Sequence, residues 1–404
     1  VATWGTAQQL YRANVTGRGA TAPAPPAPAA PAPRPAGPAR RFGIPPALAS
    51  VNNQTIRMIA RISVPGRRVR VRLQNALGSS TVNFDAAHIA LRGKDSGVVA
   101  GSDRALTFSG KPAATLYAGG TLVSDPVDLA LSALAEVAVS LYVTGEAGAP
   151  TNHLFALHTT YLSKPGDFTG APEIAEPTTR ESYYWLAGID VLAPAEAGVL
   201  VTFGDSITDG DQSTHETNGA WPSLLAARLH ANKATAHVSV VNAGISGNRV
   251  LGNNGSGLVR FYHDALVQPG VKWISILEGI NDITGGSRGL PNTPKITSEM
   301  LITAYRQMIE MAHLHGVKVI GCTITPYGGS NVYNDYGESV RSEVNEWIRH
   351  GGAFDGVIDF DAATRDKNDP KRFRAEADSP DNLHPANPGY KLMADAVNLN
   401  LFKK

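Results

Sequence analysis

A single cysteine, Cys322, among 404 residues excludes an internal disulfide framework. It stands in the apolar run 317–324, which predicts a buried parallel strand, so an inert core thiol is expected. Charge bias is equally scarce: 36 lysines and arginines balance 35 aspartates and glutamates, for a formal net charge of +1. That balance gives no global field to attract polyanions, and no nucleic-acid partner is expected. The basic clusters are local, at Arg40-Arg41 and over 67–72, where arginine alternates with valine as on a half-exposed strand. No apolar run approaches the length of a transmembrane helix, so no membrane insertion is expected. A chain that begins at valine rather than methionine suits a removed leader or a trimmed start, and a secreted or periplasmic location is the expectation.

What is present falls into two rhythms. Residues 52–193 show short alternating or apolar runs at 55–64, 69–73, 88–91, 114–117, 137–143, 154–161 and 183–192, punctuated by proline, glycine, asparagine and aspartate. No useful helical period appears among them, and the pattern predicts an all-β sandwich. In an alanine and proline tract at 20–41 the recurrent prolines remove backbone donors and fix φ, so the tract cannot join a sheet. It is read as a long flexible loop inside the first domain, with residues 1–10 pairing back into that domain's sheet. After residue 197 strands and helices alternate. Strands are predicted at 198–203, 237–241, 273–277, 318–323 and 356–360, with helices at 221–231, 259–266, 297–315, 337–350 and 388–399. Such alternation implies a parallel sheet covered on both faces. The expected domains are therefore 1–195 and 196–404.

Chemistry concentrates just past the strand ends. The first parallel strand runs into Gly204-Asp205-Ser206. Ligands bind at such carboxyl ends, so Ser206 is placed like a nucleophile; equally, a serine there caps the following helix. Asp381-Asn382-Leu383-His384-Pro385 sets a carboxylate three residues before a histidine, within reach of one face of the imidazole. Hydroxyl attack needs that pair, a base and the acid that fixes its tautomer. The blocks 241–248 and 277–282 also follow apolar runs, and they supply a glycine N–H and an asparagine amide, donor types suited to a tetrahedral oxyanion.

These four ordered blocks resemble those of the SGNH (GDSL-type) hydrolase superfamily, over residues from about 198 to 404. The match consists of Gly204-Asp205-Ser206, Gly244, Gly279-Ile280-Asn281-Asp282 and Asp381 to Pro385. The resemblance implies a flavodoxin-like three-layer α/β/α catalytic domain with a parallel sheet, preceded by a jelly-roll-like sandwich. It implies Ser206 as nucleophile, His384 as base, Asp381 as its orienting acid, and an oxyanion hole formed by the N–H groups of Ser206 and Gly244 with the Asn281 side chain. Neither metal nor organic cofactor is expected.

Several residues carry two readings. Asp205 is a turn or cap acid, or an acceptor ordering the oxyanion loop. Asp209 and Asp211 are read as solvated turn acids rather than cation ligands, since their spacing lacks a calcium-loop set. Asp282 is read as a loop-stabilising acid. Arg249 lines the pocket or pairs at the surface, Tyr327 is a pocket candidate beyond the strand at 318–323, and His158 reaches the rim if the first domain leans over it. His313 and His315 stand two apart and make a poor metal pair, Trp347 falls at core spacing, and Arg341 stays ambiguous beside Glu338. Glycine, asparagine and serine between the blocks favour a short acyl group, acetyl above all, on a small-molecule or carbohydrate ester. A longer-chain lipase or thioesterase, an aryl esterase, and a carbohydrate-binding protein with an idle hydrolase fold are the competing readings.

Overall fold

The strand Gly198–Gly204 is buried along all seven residues, as a strand covered on both faces must be. It lies inside a five-stranded parallel sheet of order Val238–Gly244, Gly198–Gly204, Val271–Leu277, Lys318–Cys322, Gly356–Ile358. In chain order this is 2-1-3-4-5, whose switch point lies between the first and third strands, and ligand crevices form at that point outside the carboxyl ends. The computed structural model describes residues 1–9, 48–252, 255–287 and 295–403. The proline and alanine tract at 20–41 lies outside the described residues.

The helices that cover the sheet begin where their sequences say they should. Thr297 accepts from Met300 N at the start of Ser298–Leu314, and Asn334 accepts from Gly337 N at the start of Asp335–His350, whose last turn carries Arg349 and His350. Pro388 occupies the first turn of Asn387–Ala396. Three short helices escape sequence periodicity: Ser206–Asp209, Ile280–Gly286 and Phe360–Thr364. The helix expected over 259–266 is observed as Gly257–Phe261 continuing into a π-type turn, Tyr262–Leu266.

The preceding region is antiparallel. One sheet is centred on Asn52–Arg61, Glu136–Glu146 and Val82–Leu91; the other on Gly66–Gln74 and Leu186–Val191. Ile56, Met58 and Val139 of the first sheet and Val71, Leu73 and Ile189 of the second share one hydrophobic core, so the two sheets form a sandwich. The strand Ala2–Gly5 pairs antiparallel with Leu186–Val191, so the start of the chain does return to the sandwich. Ala2 and Ala7 nonetheless belong to the core of the α/β part. At the junction Ala2 N donates to Pro269 O at 2.8 Å, Ser63 Oγ to Val240 O at 2.7 Å, and Arg72 Nη2 to Gln268 Oε1 at 2.8 Å.

Candidate active site

Ser206 is the first residue of a four-residue helix that leaves the first parallel strand through Gly204. A Cβ at Gly204 would collide with the Leu277 carbonyl and the Thr208 side chain, so only glycine lets the strand end pack this closely against its neighbours. Asp205 caps the turn by accepting from Ile207 N at 3.0 Å. It is buried, and burial pushes its carboxyl up to about 7. Of its two readings, the structure supports the cap.

Ser206 Oγ lies 2.8 Å from His384 Nε2, and His384 Nδ1 lies 2.7 Å from Asp381 Oδ2. The other oxygen of Asp381 accepts from the backbone N–H of Leu383 and of His384, each at 3.0 Å, and from Ser379 Oγ at 2.8 Å. The carboxylate is thereby fixed within its own turn. Burial would raise the Asp381 pKa, but the bonds from His384 and the backbone hold it well below the usual carboxylate range. Burial would lower the imidazole, yet Asp381 and the nearby Asp211 outweigh that and raise it above the ordinary histidine value. A neutral imidazole so held can take a hydroxyl proton, and its cation is stabilised once formed.

Asn281 sits in the first turn of the helix Ile280–Gly286, at the carboxyl end of the neighbouring strand Val271–Leu277. The helix begins at Gly279, whose φ of 118° would strain any other residue. Asn281 Nδ2 donates to Asn248 O at 2.8 Å, and among the described residues its second amide hydrogen meets no other acceptor. Asp282 accepts from Val250 N at 2.8 Å and Leu251 N at 2.9 Å, so it secures the loop after the second strand, as expected of a loop-stabilising acid.

Gly244 departs from expectation. Its N–H donates to Asn242 Oδ1 at 2.9 Å, and it packs so tightly on the backbone of Thr208 and Asp209 that no Cβ would fit. That N–H is already engaged, and the close packing explains the glycine. Three residues on, Gly247 is exposed with φ 77°, directly before Asn248, which receives the Asn281 amide.

The other candidates separate. Arg249 is exposed, and its guanidinium packs against Gly285 on the helix that carries Asn281, which places it at the rim. Tyr327 is fully buried in the core of the α/β part, its ring 5.2 Å from that of Tyr333, so it does not line a pocket. His158 is buried, with Nδ1 3.0 Å from Glu216 Oε2 and Nε2 3.1 Å from Asn218 Oδ1. It lines a cavity of about 80 Å³ between the sandwich and the α/β part, one whose walls do not include Ser206. Its place is the junction rather than the rim. Arg341 is buried between Glu338 and Asp361, Trp347 stacks on Tyr305, and Cys322 is a buried free thiol.

Three supporting residues are invisible to motif reasoning. Arg260 is buried and donates to Gly204 O at 2.7 Å, Ala243 O at 2.8 Å and Asn248 Oδ1 at 2.8 Å, tying together the ends of two strands and a loop. Asp209, expected in solvent, is only 3% exposed. It accepts from Ser246 N at 2.9 Å and Ser246 Oγ at 2.8 Å, and its other oxygen meets His153 Nε2 at 3.0 Å. His153 comes from the strand Asn152–His153, which pairs with Tyr183–Tyr184 in a separate two-stranded sheet of the preceding region. Among the described residues no group of three or more His, Cys, Asp or Glu is arranged to hold a metal, and no helix is long and apolar enough to cross a membrane.

Residues 200–397 match the model of the family described as GDSL-like lipase/acylhydrolase. No curated protein matches the chain. Among solved structures, a GDSL-like lipase from Bacteroides thetaiotaomicron is 19% identical, covering 52% of this chain and 91% of its own, with a TM-score of 0.38. An acetyl xylan esterase is 20% identical, covering 49% of this chain and 96% of its own, TM-score 0.38. A mutant of a Geobacillus acetyl-xylooligosaccharide esterase is 22% identical, covering 51% and 93%, TM-score 0.39.

Proposed function

Because residues 200–397 belong to the GDSL-like lipase/acylhydrolase family, a family of carboxylic ester hydrolases, we propose that Ser206 is the nucleophile of a serine esterase acting on short acyl esters. The observation that carries this reading is the unbroken chain from Ser206 Oγ through His384 to Asp381, at 2.8 and 2.7 Å. In the first half-reaction Ser206 Oγ bonds to the ester carbonyl carbon while its proton passes to His384 Nε2. The tetrahedral oxyanion is received by the N–H of Ser206, at the donor-rich start of its helix, and by the free hydrogen of the Asn281 amide. We assign the further backbone donor to Gly247 in place of Gly244, since Gly247 is exposed beside Asn248 whereas the Gly244 N–H is engaged. Collapse breaks the bond to the alcohol, which leaves with the proton from Nε2. Water then attacks the acyl-enzyme with His384 again as base, releasing the acid and restoring Ser206 Oγ–H.

The short acyl preference rests on the glycine, asparagine and serine content of the blocks 241–248 and 277–282 that follow the neighbouring strands. An acetylated carbohydrate is the substrate class proposed. Hydrolysis of p-nitrophenyl acetate and octanoate by wild type and Ser206→Ala tests both parts. The expected result is preference for acetate and a loss of turnover in the variant by about 10⁴-fold or more. Octanoate preference would move the assignment to a lipase or thioesterase, and an unimpaired variant would remove Ser206 from the chemistry.

A further inference from the structure

We propose that Asp211 reads the alcohol half of the ester: it accepts a hydrogen bond from a hydroxyl next to the leaving oxygen and rejects alcohols that carry a negative charge there. The inference rests on the function proposed above and concerns the same site.

Asp211 follows the nucleophile helix, and its backbone is pinned from two sides. Its N–H donates to Ser206 O at 2.9 Å, and its carbonyl accepts from the hydroxyl of buried Tyr390 at 2.6 Å. The carboxylate therefore has a fixed origin beside Ser206. Its Oδ2 stands 3.6 Å from His384 Nε2, the nitrogen that also faces Ser206 Oγ at 2.8 Å. At that distance it is not hydrogen-bonded to the imidazole, so its acceptor capacity is not spent there. Asp381 holds the opposite nitrogen, Nδ1. With its side chain 28% exposed, Asp211 is open to a bound molecule, unlike Asp205 and Asp209, which are buried.

The reaction fixes what arrives at this point. The leaving oxygen must take its proton from Nε2, so it must come within hydrogen-bond distance of that nitrogen. Substituents on the adjoining carbons of the alcohol then fall beside Asp211 Oδ2. An ionised carboxylate only accepts, so it favours a hydroxyl there and disfavours another anion. A polyol or sugar bearing a free hydroxyl next to its acetylated one meets this requirement, and a hydroxy acid esterified beside its carboxylate does not.

Asp211 also raises the basicity of His384, which would alter the rate on every ester alike. Ratios between substrates on one enzyme cancel that shared effect. The experiment therefore measures kcat/KM of the full chain at a fixed pH of about 8, where an ordinary histidine is neutral, for n-propyl acetate, glycerol monoacetate and O-acetyl-lactate. Wild type, Asp211→Asn, Asp211→Ala and Ser206→Ala are compared. The expected result is a wild-type preference for glycerol monoacetate over propyl acetate that shrinks about tenfold or more in Asp211→Ala. Discrimination against O-acetyl-lactate should relax about tenfold in both Asp211 variants, because both remove the charge. Ratios unchanged within about twofold, whatever the absolute rates do, would overturn the inference. If they are unchanged while Ser206→Ala is inactive, the esterase reading stands and only the role of Asp211 falls. Hydrolysis that survives Ser206→Ala would remove the premise itself.

Discussion

At the scale of single residues, the proposed base is tuned by its neighbours in a direction that can be tested. His384 is raised above its ordinary value because Asp381 and Asp211 outweigh its burial. A base must be neutral to act, so the acid limb of the activity profile should lie above about pH 6.5, the ordinary histidine value. Asp381→Asn removes the larger attraction, so the limb should move to lower pH while turnover falls by about 10³–10⁴-fold through loss of the correct tautomer. A pH–rate profile of the two proteins checks both effects; a limb that stays in place would mean that Asp381 does not set the basicity of His384. Asp381 and His384 were legible as a pair because they share one turn, and Ser206 because it stands two residues past the end of a strand. Gly244 shows the limit. The block that contains it was readable, but Asn242 Oδ1 occupies its N–H, and that bond depends on a side-chain orientation that spacing does not encode. Tyr327 fails for a related reason: a position just past a strand end does not say whether the ring turns outward or, as here, into the core.

At the scale of elements, Gly279 decides how the Asn281 helix starts. Its φ of 118° lies in a region other residues enter only with strain, and an added Cβ would stand 2.7 Å from Tyr305 Oη. That hydroxyl is committed to Glu278 O at 2.6 Å and so resists displacement. Gly279→Ala should therefore cost about 1–3 kcal/mol of stability, read from a urea midpoint. It should also lower kcat by moving the Asn281 amide. Full stability with reduced kcat would separate alignment from strain, and no change in either would show that the turn is indifferent to the residue. The long helices and all five parallel strands were readable from period and apolar runs. Helices of four to seven residues, such as Ser206–Asp209 and Ile280–Gly286, were not, since one or two turns do not establish a 3.6-residue period. Arg260 was unreadable for a different reason. Its value lies in joining Gly204 to Ala243 and Asn248, which lie on a different strand and the loop after it and meet Gly204 only once the sheet has formed.

At the scale of the whole molecule, the region that precedes the α/β part reaches Asp209 through His153. Both of its ring nitrogens face acceptors, Ala7 O at 2.9 Å and Asp209 Oδ1 at 3.0 Å, an environment that suits an imidazolium donating twice. Burial opposes the charge, but Asp209 outweighs it and the histidine is raised. Tyr183 stacks on the ring at 6.2 Å without adding charge at neutral pH. A histidine raised on folding contributes stability that is fully present below its unfolded value of about 6.5 and is lost as pH climbs through the folded value. Removing one partner of a buried pair costs about 3–5 kcal/mol, so His153→Gln should melt well below wild type at pH 6. The gap should narrow by about pH 9 as the wild-type ring gives up its proton. His384 carries the same sign in both proteins, so the difference between them isolates His153. A melting gap equal at the two pH values would mean that the junction is held by shape rather than by charge. Because Asp209 also grips Ser246 N and Oγ, loosening it should shift the loop that carries Gly247 and lower kcat on p-nitrophenyl acetate more than it alters KM. That outcome would make the preceding region a structural part of the site, since the residue lost lies in that region and the step slowed lies at Ser206.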